Sequence, residues 1–309
     1  MCIFVTKCET MNIGLISVDG FNYPNLALMK ISTYHKNKGN NVSWVDSNGY
    51  YDFIYQSKIF TYTQDNYSIT GMGHVFKGGT GYNMDELPDY IDGLHPDYSI
   101  YPQFTEAYGF LTRGCPNKCS WCVVPHKEGN IKPYMSIEEV AGNRKNVILM
   151  DNNVLASDWG LQQIEKAVGL KLRLDFNQGL DARLIDNDIA KLLSKVKWYK
   201  PLRLACDSIS MKEPIRKTVE LLRKYNCTPK QYFIYVLLKD LQDSYDRINF
   251  CKELGLDAFA QPYRDFAPNQ IIPQWQRDMA RYTNLKQLYR KIDFKDYVPR
   301  KNFKCNQYF

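Results

Sequence analysis

Residues 112–122 read TRGCPNKCSWC and place Cys115, Cys119 and Cys122 within eight positions of a 309-residue chain that has nine cysteines. A glycine opens the run, a proline follows the first thiol, and Trp121 precedes the last. The other six cysteines are scattered and the total is odd. A disulfide scaffold is therefore the wrong class, and a reducing cytoplasm with a metal or redox site is the better one. Thiolates bind soft metals, but three on one short loop cannot close a tetrahedral site by themselves. His126, four residues past Cys122, would complete a Cys3His zinc knuckle. An iron–sulfur cluster on three cysteines would instead leave one iron open, and an open position implies chemistry rather than structure.

Around this loop the hydrophobic pattern alternates between strand and helix. FLTRG leads into the cysteines and SIEEVAGNRK follows as helix, then VILMD as strand and LQQIEKAVG as helix. LRLDFNQG, PLRLACD, QYFIYVLLK and AFAQPY read as further strands, separated by the helical stretches DNDIAKLLSKV, EPIRKTVELLRKYN and SYDRINFCKELG. Six strands, five of them followed by a helical pattern, predict parallel βα units and a full or partial barrel. Upstream, from Met11 (a plausible natural start), IGLISVD, VSWVD, FIYQSKIF and the HVFKGG region predict a small Rossmann-like or flavodoxin-like unit. Its helix is LALMKISTYHKNKG, and LHPDYSIYP is the junction.

The loop C-x3-C-x2-C, with an aromatic before the last cysteine, resembles the signature of the radical S-adenosylmethionine superfamily over roughly residues 105 to 265. The resemblance implies a partial (βα)6 TIM-like barrel. Cys115, Cys119 and Cys122 would hold a [4Fe–4S] cluster whose open iron is chelated by the cofactor's amino and carboxylate groups. An electron from a reductant such as flavodoxin or ferredoxin would release a 5′-deoxyadenosyl radical. Trp121 would lie against the adenine, or simply pack. Asp151, Asn152 and Asn153 stand where the family has a Gly-Gly-Glu-like stretch, and Asp207 stands where relatives carry an acidic residue near the ribose. Asp151 and Asp207 could equally be cap or turn residues.

Within the barrel pattern, Asp175 and Asn177 share one face of a strand by period two, so they need partners or a ligand. Gln261, Tyr263 and Arg264 end the last strand and are further substrate-facing candidates, though Arg264 could be a surface residue. No catalytic residue is identifiable. RGCPNKCSWCVVPHKEG resembles the cysteine loop of tRNA methylthiotransferases, but the second cysteine triplet of that family is missing and the tail reads as helix. The N-terminal unit resembles the cobalamin-binding domain fused to many radical methylases. It lacks the Asp-x-His-x-x-Gly signature, having Gly20 and Phe21 after Asp19 and Pro24 in place of the glycine. Radical methylases often lack that histidine, so its absence alone does not exclude the cofactor, but the unit is short; the expectation is a vestigial or substrate-facing domain, with cobalamin unlikely. Cys206, Cys227, Cys251 and Cys305 read as buried small hydrophobes.

Composition bounds the rest. With 44% hydrophobic and 24% charged residues the chain is an ordinary globular protein, and no apolar run reaches the roughly 18 residues of a membrane span. No secretory signal pattern is present, so the cytoplasm is the expected location. The net charge of +7 is concentrated in residues 277–309, which hold nine Lys/Arg against three Asp/Glu. That tail could meet nucleic acid through charge and stacking. The favoured expectation is a docked helix over 271–291, with Trp275, Met279 and Tyr282 buried and Lys286 and Arg290 free to snorkel at its border. The predicted organisation is an extension (1–10), a Rossmann-like domain (11–98), a radical S-adenosylmethionine core (99–266) and a helical basic tail (267–309). The alternatives are a metal-stabilised nucleic-acid-binding protein, a cluster sensor without turnover, and a tRNA-modifying or cobalamin-dependent radical methylase.

Overall fold

The chain divides into two units, Met1–Thr105 and Glu106–Phe309; the computed structural model describes residues 9–65, 73–227, 232–265 and 270–309. In the first unit, β1 (Asn12–Ser17), β2 (Asn41–Trp44), β3 (Phe53–Ser57) and β4 (His74–Gly78) form one parallel sheet in the order β2-β1-β3-β4. The central strand β1 carries Ile13, Leu15 and Ile16, all buried, as an almost continuous apolar run should when both faces are covered. Helix α1 (Leu26–Asn37) makes the crossover to β2, and a single turn α2 (Asp89–Asp92) comes after β4. Asn25 caps α1, accepting from Leu28 N at 3.1 Å, and donates through Nδ2 to Ser57 Oγ at 2.8 Å, tying the helix start to the end of β3. Because the chain moves to one side of β1 and then to the other, the strand order reverses between β1 and β3. Open α/β sheets receive ligands at the carboxyl end of such a switch point.

The second unit repeats the βα pattern. Its parallel strands are β5 (Ala107–Gly109), β8 (Asn146–Leu149), β9 (Arg173–Phe176), β11 (Leu202–Ala205), β12 (Tyr232–Leu238) and β13 (Asp257–Pro262). They pair in chain order within two sheets, and a parallel bridge between Leu180 and Leu204 joins the β9 segment to β11. The two-residue β10 (Lys197–Trp198) lies beside the start of β9. Between strands run α4 (Ile137–Ala141), α5 (Asp158–Gly169), α6 (Asn187–Lys195), α7 (Lys212–Lys224) and α8 (Leu241–Glu253). The expected SIEEVAGNRK helix is only the five residues of α4. A Ser136/Glu139 capping box opens it, and Gly142, at φ 53°, ends it. Apolar residues from both sheets form one core, which includes the buried Cys206, Cys227, Cys251 and Cys305.

The basic tail belongs to that core. Helices α9 (Gln274–Asn284) and α10 (Lys286–Lys291) bring in Met279, Tyr282 and Tyr289, followed by Phe294 and Tyr297. Fully burying a large apolar side chain contributes about 1.5–3 kcal/mol. The structure differs from the expected single helix over 271–291 in that α9 starts only at Gln274 and Trp275 is half-buried, not buried. The helix breaks at Leu285 (φ −86°, ψ 85°), where Asn284 clasps the edge of β13 by accepting from Ala260 N (2.8 Å) and donating to Ala260 O (3.0 Å). Lys286 and Arg290 are not free either, because both pair with the buried Asp257, at 2.8 and 2.6 Å. Among the described residues no helix is long and apolar enough to cross a membrane.

Candidate functional site

In the second unit the cysteine loop is an excursion between two short antiparallel strands, β6 (Thr112–Arg113) and β7 (Lys132–Pro133), with the single turn α3 (Val124–Lys127) inside it. Gly114 enters the loop at φ 82°, and a Cβ there would stand 2.3 Å from the Asn130 carbonyl oxygen, so only glycine fits. Cys115 N donates to Gly129 O at 3.1 Å and closes the base. Glu128 then gathers four donors: Arg113 Nε (3.1 Å) and Nη2 (2.9 Å), Gly114 N (2.8 Å) and Asn152 Nδ2 (2.9 Å). Asn117, in mid-loop, donates to Asp181 Oδ2 at 3.2 Å.

The three thiols are half-exposed and free. Burial pushes Cys119 and Cys122 above the usual cysteine range; the neighbouring thiols and Asp207 push the same way, and Arg183 opposes at Cys119. A bound cation is what converts such thiols to thiolates. Among the described residues no three His, Cys, Asp or Glu side chains converge as ligands of one metal ion, and His126 sits on α3. A single zinc with bonds near ~2.3 Å would need that convergence. An iron–sulfur cluster takes its cysteines on separate irons and tolerates a wider triangle.

The stretch after β8 divides its tasks. Asp151 is buried, and its carboxylate accepts from Leu111 N (2.9 Å), Thr112 N (2.6 Å) and Thr112 Oγ1 (2.8 Å). Burial pushes its carboxyl up to about 6 while these donors pull it back. It clamps the backbone that enters the cysteine loop, a task other than the cofactor contact expected of it. Asn152 holds Glu128. Asn153 faces the thiols: its Nδ2 is 3.8 Å from Cys115 Sγ and 3.4 Å from Asp181 Oδ2, while its Oδ1 is buried without a partner. Leaving such an oxygen unpaired costs about 1–3 kcal/mol. Burial would raise the Asp181 carboxyl, but the Arg183 fork outweighs this and holds it below the usual range.

The remaining candidates are spread over the later strands. Asp175, only 2% exposed, pairs with Arg203 on β11, so the partner its strand face required comes from the protein and not from a substrate. The Asn177 carbonyl accepts from Tyr235 Oη at 3.0 Å. Asp207, half-buried after β11, accepts from Leu237 N at 3.3 Å; burial raises its carboxyl, and Leu237 N and Arg247 draw it down. Trp121 and Tyr263 are brought together by Lys239, whose Nζ lies 4.6 and 5.0 Å from their ring centroids. Gln261 is exposed on β13, and Arg264 is exposed just after it.

Glu128, Asn117, Lys239 and the fully buried Arg247 were not visible as site residues in the sequence. Arg247 donates to Cys206 O and Leu237 O and so holds the backbone on either side of Asp207. Glu128 stands in the quoted cysteine loop, which is a sequence signal, but its four donors are distributed over residues 113 to 152.

The first unit has a second candidate surface at the carboxyl ends of β1 and β3. Asp19 joins the two loops, accepting from Ile59 N (2.5 Å) and Thr63 Oγ1 (2.7 Å). Phe21, Tyr23, Ile59, Phe60 and Tyr62 are all exposed on these loops, with Phe60 and Tyr62 stacked at 5.2 Å. Gly20 and Gly78 border open space. The unit's histidines lie elsewhere: His35 is on α1, His74 is at the amino end of β4, and His95 stands between Leu94 and Pro96.

No family model matches the sequence, and no curated protein does. Two solved structures match over 92% of this chain and 56% of theirs. Both are of the cobalamin-dependent S-adenosylmethionine radical enzyme OxsB, one with aqua-cobalamin and S-adenosylmethionine bound, the other with aqua-cobalamin. The TM-scores are 0.54 and 0.55, at 13% and 12% identity. The chain thus has the fold of a radical S-adenosylmethionine enzyme and spans little more than half the length of the matched chains. One expectation is corrected. The missing histidine and the short first unit speak against cobalamin, yet the matched structures of this fold hold aqua-cobalamin.

Proposed function

We propose that the protein is a radical S-adenosylmethionine enzyme whose second unit binds a [4Fe–4S] cluster through Cys115, Cys119 and Cys122. The observation that carries this reading is the orphaned Oδ1 of Asn153, a buried acceptor on a side chain whose Nδ2 lies 3.8 Å from Cys115 Sγ, after a parallel strand. An ammonium group held at the open iron would satisfy that acceptor. When bound, the cluster supplies the electron that breaks the cofactor's carbon–sulfur bond to give a 5′-deoxyadenosyl radical. The chain's own part is positional. Glu128 and Asp181 fix the loop, Asn153 receives the amino group, and Asp207 stands near the thiols for a hydroxyl of the ribose. Trp121 offers a flat face to the adenine, and Asn177, Gln261 and Tyr263 remain as substrate contacts. A small reductant such as flavodoxin or ferredoxin is the implied partner.

The first unit fits a cobalamin. Its switch-point edge exposes five large apolar side chains beside two glycines that leave room, which suits a broad macrocycle. None of its described histidines stands on that edge, so this unit would hold the corrin without a histidine ligand to the cobalt. The six parallel strands of the second unit are read as a partial barrel, with the tail closing its core.

Anaerobic reconstitution tests the reading. Iron and sulfide should reach about one [4Fe–4S] per chain. Addition of S-adenosylmethionine should change the cluster's electron paramagnetic resonance spectrum, and dithionite should then release 5′-deoxyadenosine. Stoichiometric zinc without iron, or a cluster indifferent to S-adenosylmethionine, would reject it.

A further inference from the structure

Lys239 follows the last residue of β12, Tyr263 follows the last residue of β13, and Trp121 belongs to the cysteine loop. Three carboxyl-end loops therefore converge on one ammonium group. The two rings, with centroids at 4.6 and 5.0 Å, attract it through their electron-rich faces. They restrain a long and otherwise freely rotating side chain. A ring face positions an ammonium group without saturating its N–H donors. Among the described residues no carboxylate pairs with Lys239, and the adjacent Asp240 is committed as the cap of α8, accepting from Asp243 N at 2.9 Å. The outcome is a held cation with donors to spare, on the face of the parallel strands where ligands bind.

We infer that Lys239 binds an oxyanion, carboxylate or phosphate, carried by the substrate. This rests on the radical S-adenosylmethionine reading. The cofactor has one anionic group, its carboxylate, on the same carbon as its amino group. The acceptor for that amino group is Asn153, beside Cys115 and bonded toward Asp181, and not in the Trp121–Lys239–Tyr263 group. An anion at Lys239 therefore belongs to a second molecule. An ammonium lacks the planar fork that favours bidentate partners, so carboxylate and phosphate suit it alike.

Pyrophosphate and citrate are suitable probes, titrated by calorimetry into the cluster-loaded protein with S-adenosylmethionine present. At least one should bind the wild type. Lys239→Met should weaken that binding at least tenfold and Lys239→Arg should largely restore it, with the affinity for S-adenosylmethionine kept within about twofold, a change of ~0.4 kcal/mol. Preference for pyrophosphate over citrate would assign a phosphate, and the reverse a carboxylate. The inference fails if neither probe binds the wild type, if Lys239→Met leaves binding unchanged, or if S-adenosylmethionine affinity falls in parallel with the probes. Repeating the titration on Cys115→Ala/Cys119→Ala/Cys122→Ala separates the two readings. Lys239-dependent anion binding in that variant, beside a wild type that releases no 5′-deoxyadenosine, would keep the anion site and reject the enzyme reading.

Discussion

The cysteine loop of the second unit and the switch-point edge of the first both lie at the carboxyl ends of parallel strands, yet they are built from opposite materials. The loop is a mesh of polar ties: Glu128 with four donors, Asp181 with Asn117, Asn153 and Arg183. The edge has polar ties too, among them Asp19 to Ile59 N and Thr63 Oγ1, Ser17 Oγ to Gly20 O and Thr80 Oγ1 to Ile59 O, but what it exposes is aromatic and aliphatic side chains. Directional ligands, a cluster and a zwitterion, need the first kind of surface, where each donor is aimed before the ligand arrives. A wide apolar ligand needs the second, where contact area matters more than angle. The parallel-sheet plan is shared; the loops decide what each end can hold.

The largest expected effect separates the two surfaces outright. Changing Cys115, Cys119 and Cys122 together to alanine should remove the iron while leaving cobalamin uptake by the first unit intact, read by iron assay and by corrin absorbance. Loss of both together would mean that the surfaces are not independent. Full iron retention would show that the cluster sits elsewhere.

A pH titration sharpens the contrast from the side of the polar mesh. Asp151 has its folded-state pKa raised to about 6, above the ~3.9 of an unfolded aspartate. The folded state therefore holds the proton more tightly. Its stabilising contribution is full below about pH 4 and is lost as pH rises through 6. Asp151→Asn cannot titrate there. The stability of the wild type relative to that variant, in cluster-free protein, should decline by on the order of 3 kcal/mol in all, most of it between pH 4 and 6. Denaturant unfolding measures this, and a flat difference would show that the three donors to Asp151 cancel the cost of its burial.

On the apolar side, Phe60→Asp combined with Tyr62→Ser should weaken cobalamin binding about tenfold or more, because about 1.4 kcal/mol per factor of ten is less than the burial of one aromatic ring contributes. Cluster content should not change. An unaltered corrin affinity would move its site away from this edge.

The strands and cysteines were legible in the sequence because they depend on local pattern. Period-two burial along β12 and the apolar run of β1 are visible from neighbours a few residues apart. What was not legible depends on partners far along the chain. Asp175 looks like a substrate group until Arg203 appears 28 residues later. Asp151 looks like a cofactor ligand until its donors are found 40 and 39 residues upstream. In the expected helix over 271–291, Pro273 is a visible stop and the helix starts after it, but no residue marks the break at Leu285, which comes from Asn284 reaching a strand 24 residues earlier. Lys239 is one of many lysines until two rings converge on it. The expectation against cobalamin, drawn from the short first unit and its departures from the Asp-x-His-x-x-Gly motif, is overturned for a related reason, since length and a short motif say little about the surface a fold presents.

The smallest predicted effect is the most discriminating for the loop. Asn153 Oδ1 is buried and unpaired, so in the free protein the amide is a burden and not a support. Asn153→Ala removes the orphaned acceptor together with the donor contacts toward Cys115 and Asp181, which are long at 3.8 and 3.4 Å. The two losses oppose each other, and the unfolding free energy should move by less than about 0.5 kcal/mol. Binding of S-adenosylmethionine to the cluster-loaded variant should nevertheless weaken, by about 0.5–1.5 kcal/mol for a neutral hydrogen bond and up to ~3 for one to an ammonium group. Equilibrium dialysis would read this as a loss of a few-fold to a hundredfold, at unchanged iron content. A residue that only packs would show the reverse, a stability loss with affinity preserved, and that outcome would remove Asn153 from the cofactor site and take with it the main support for the reading of the loop.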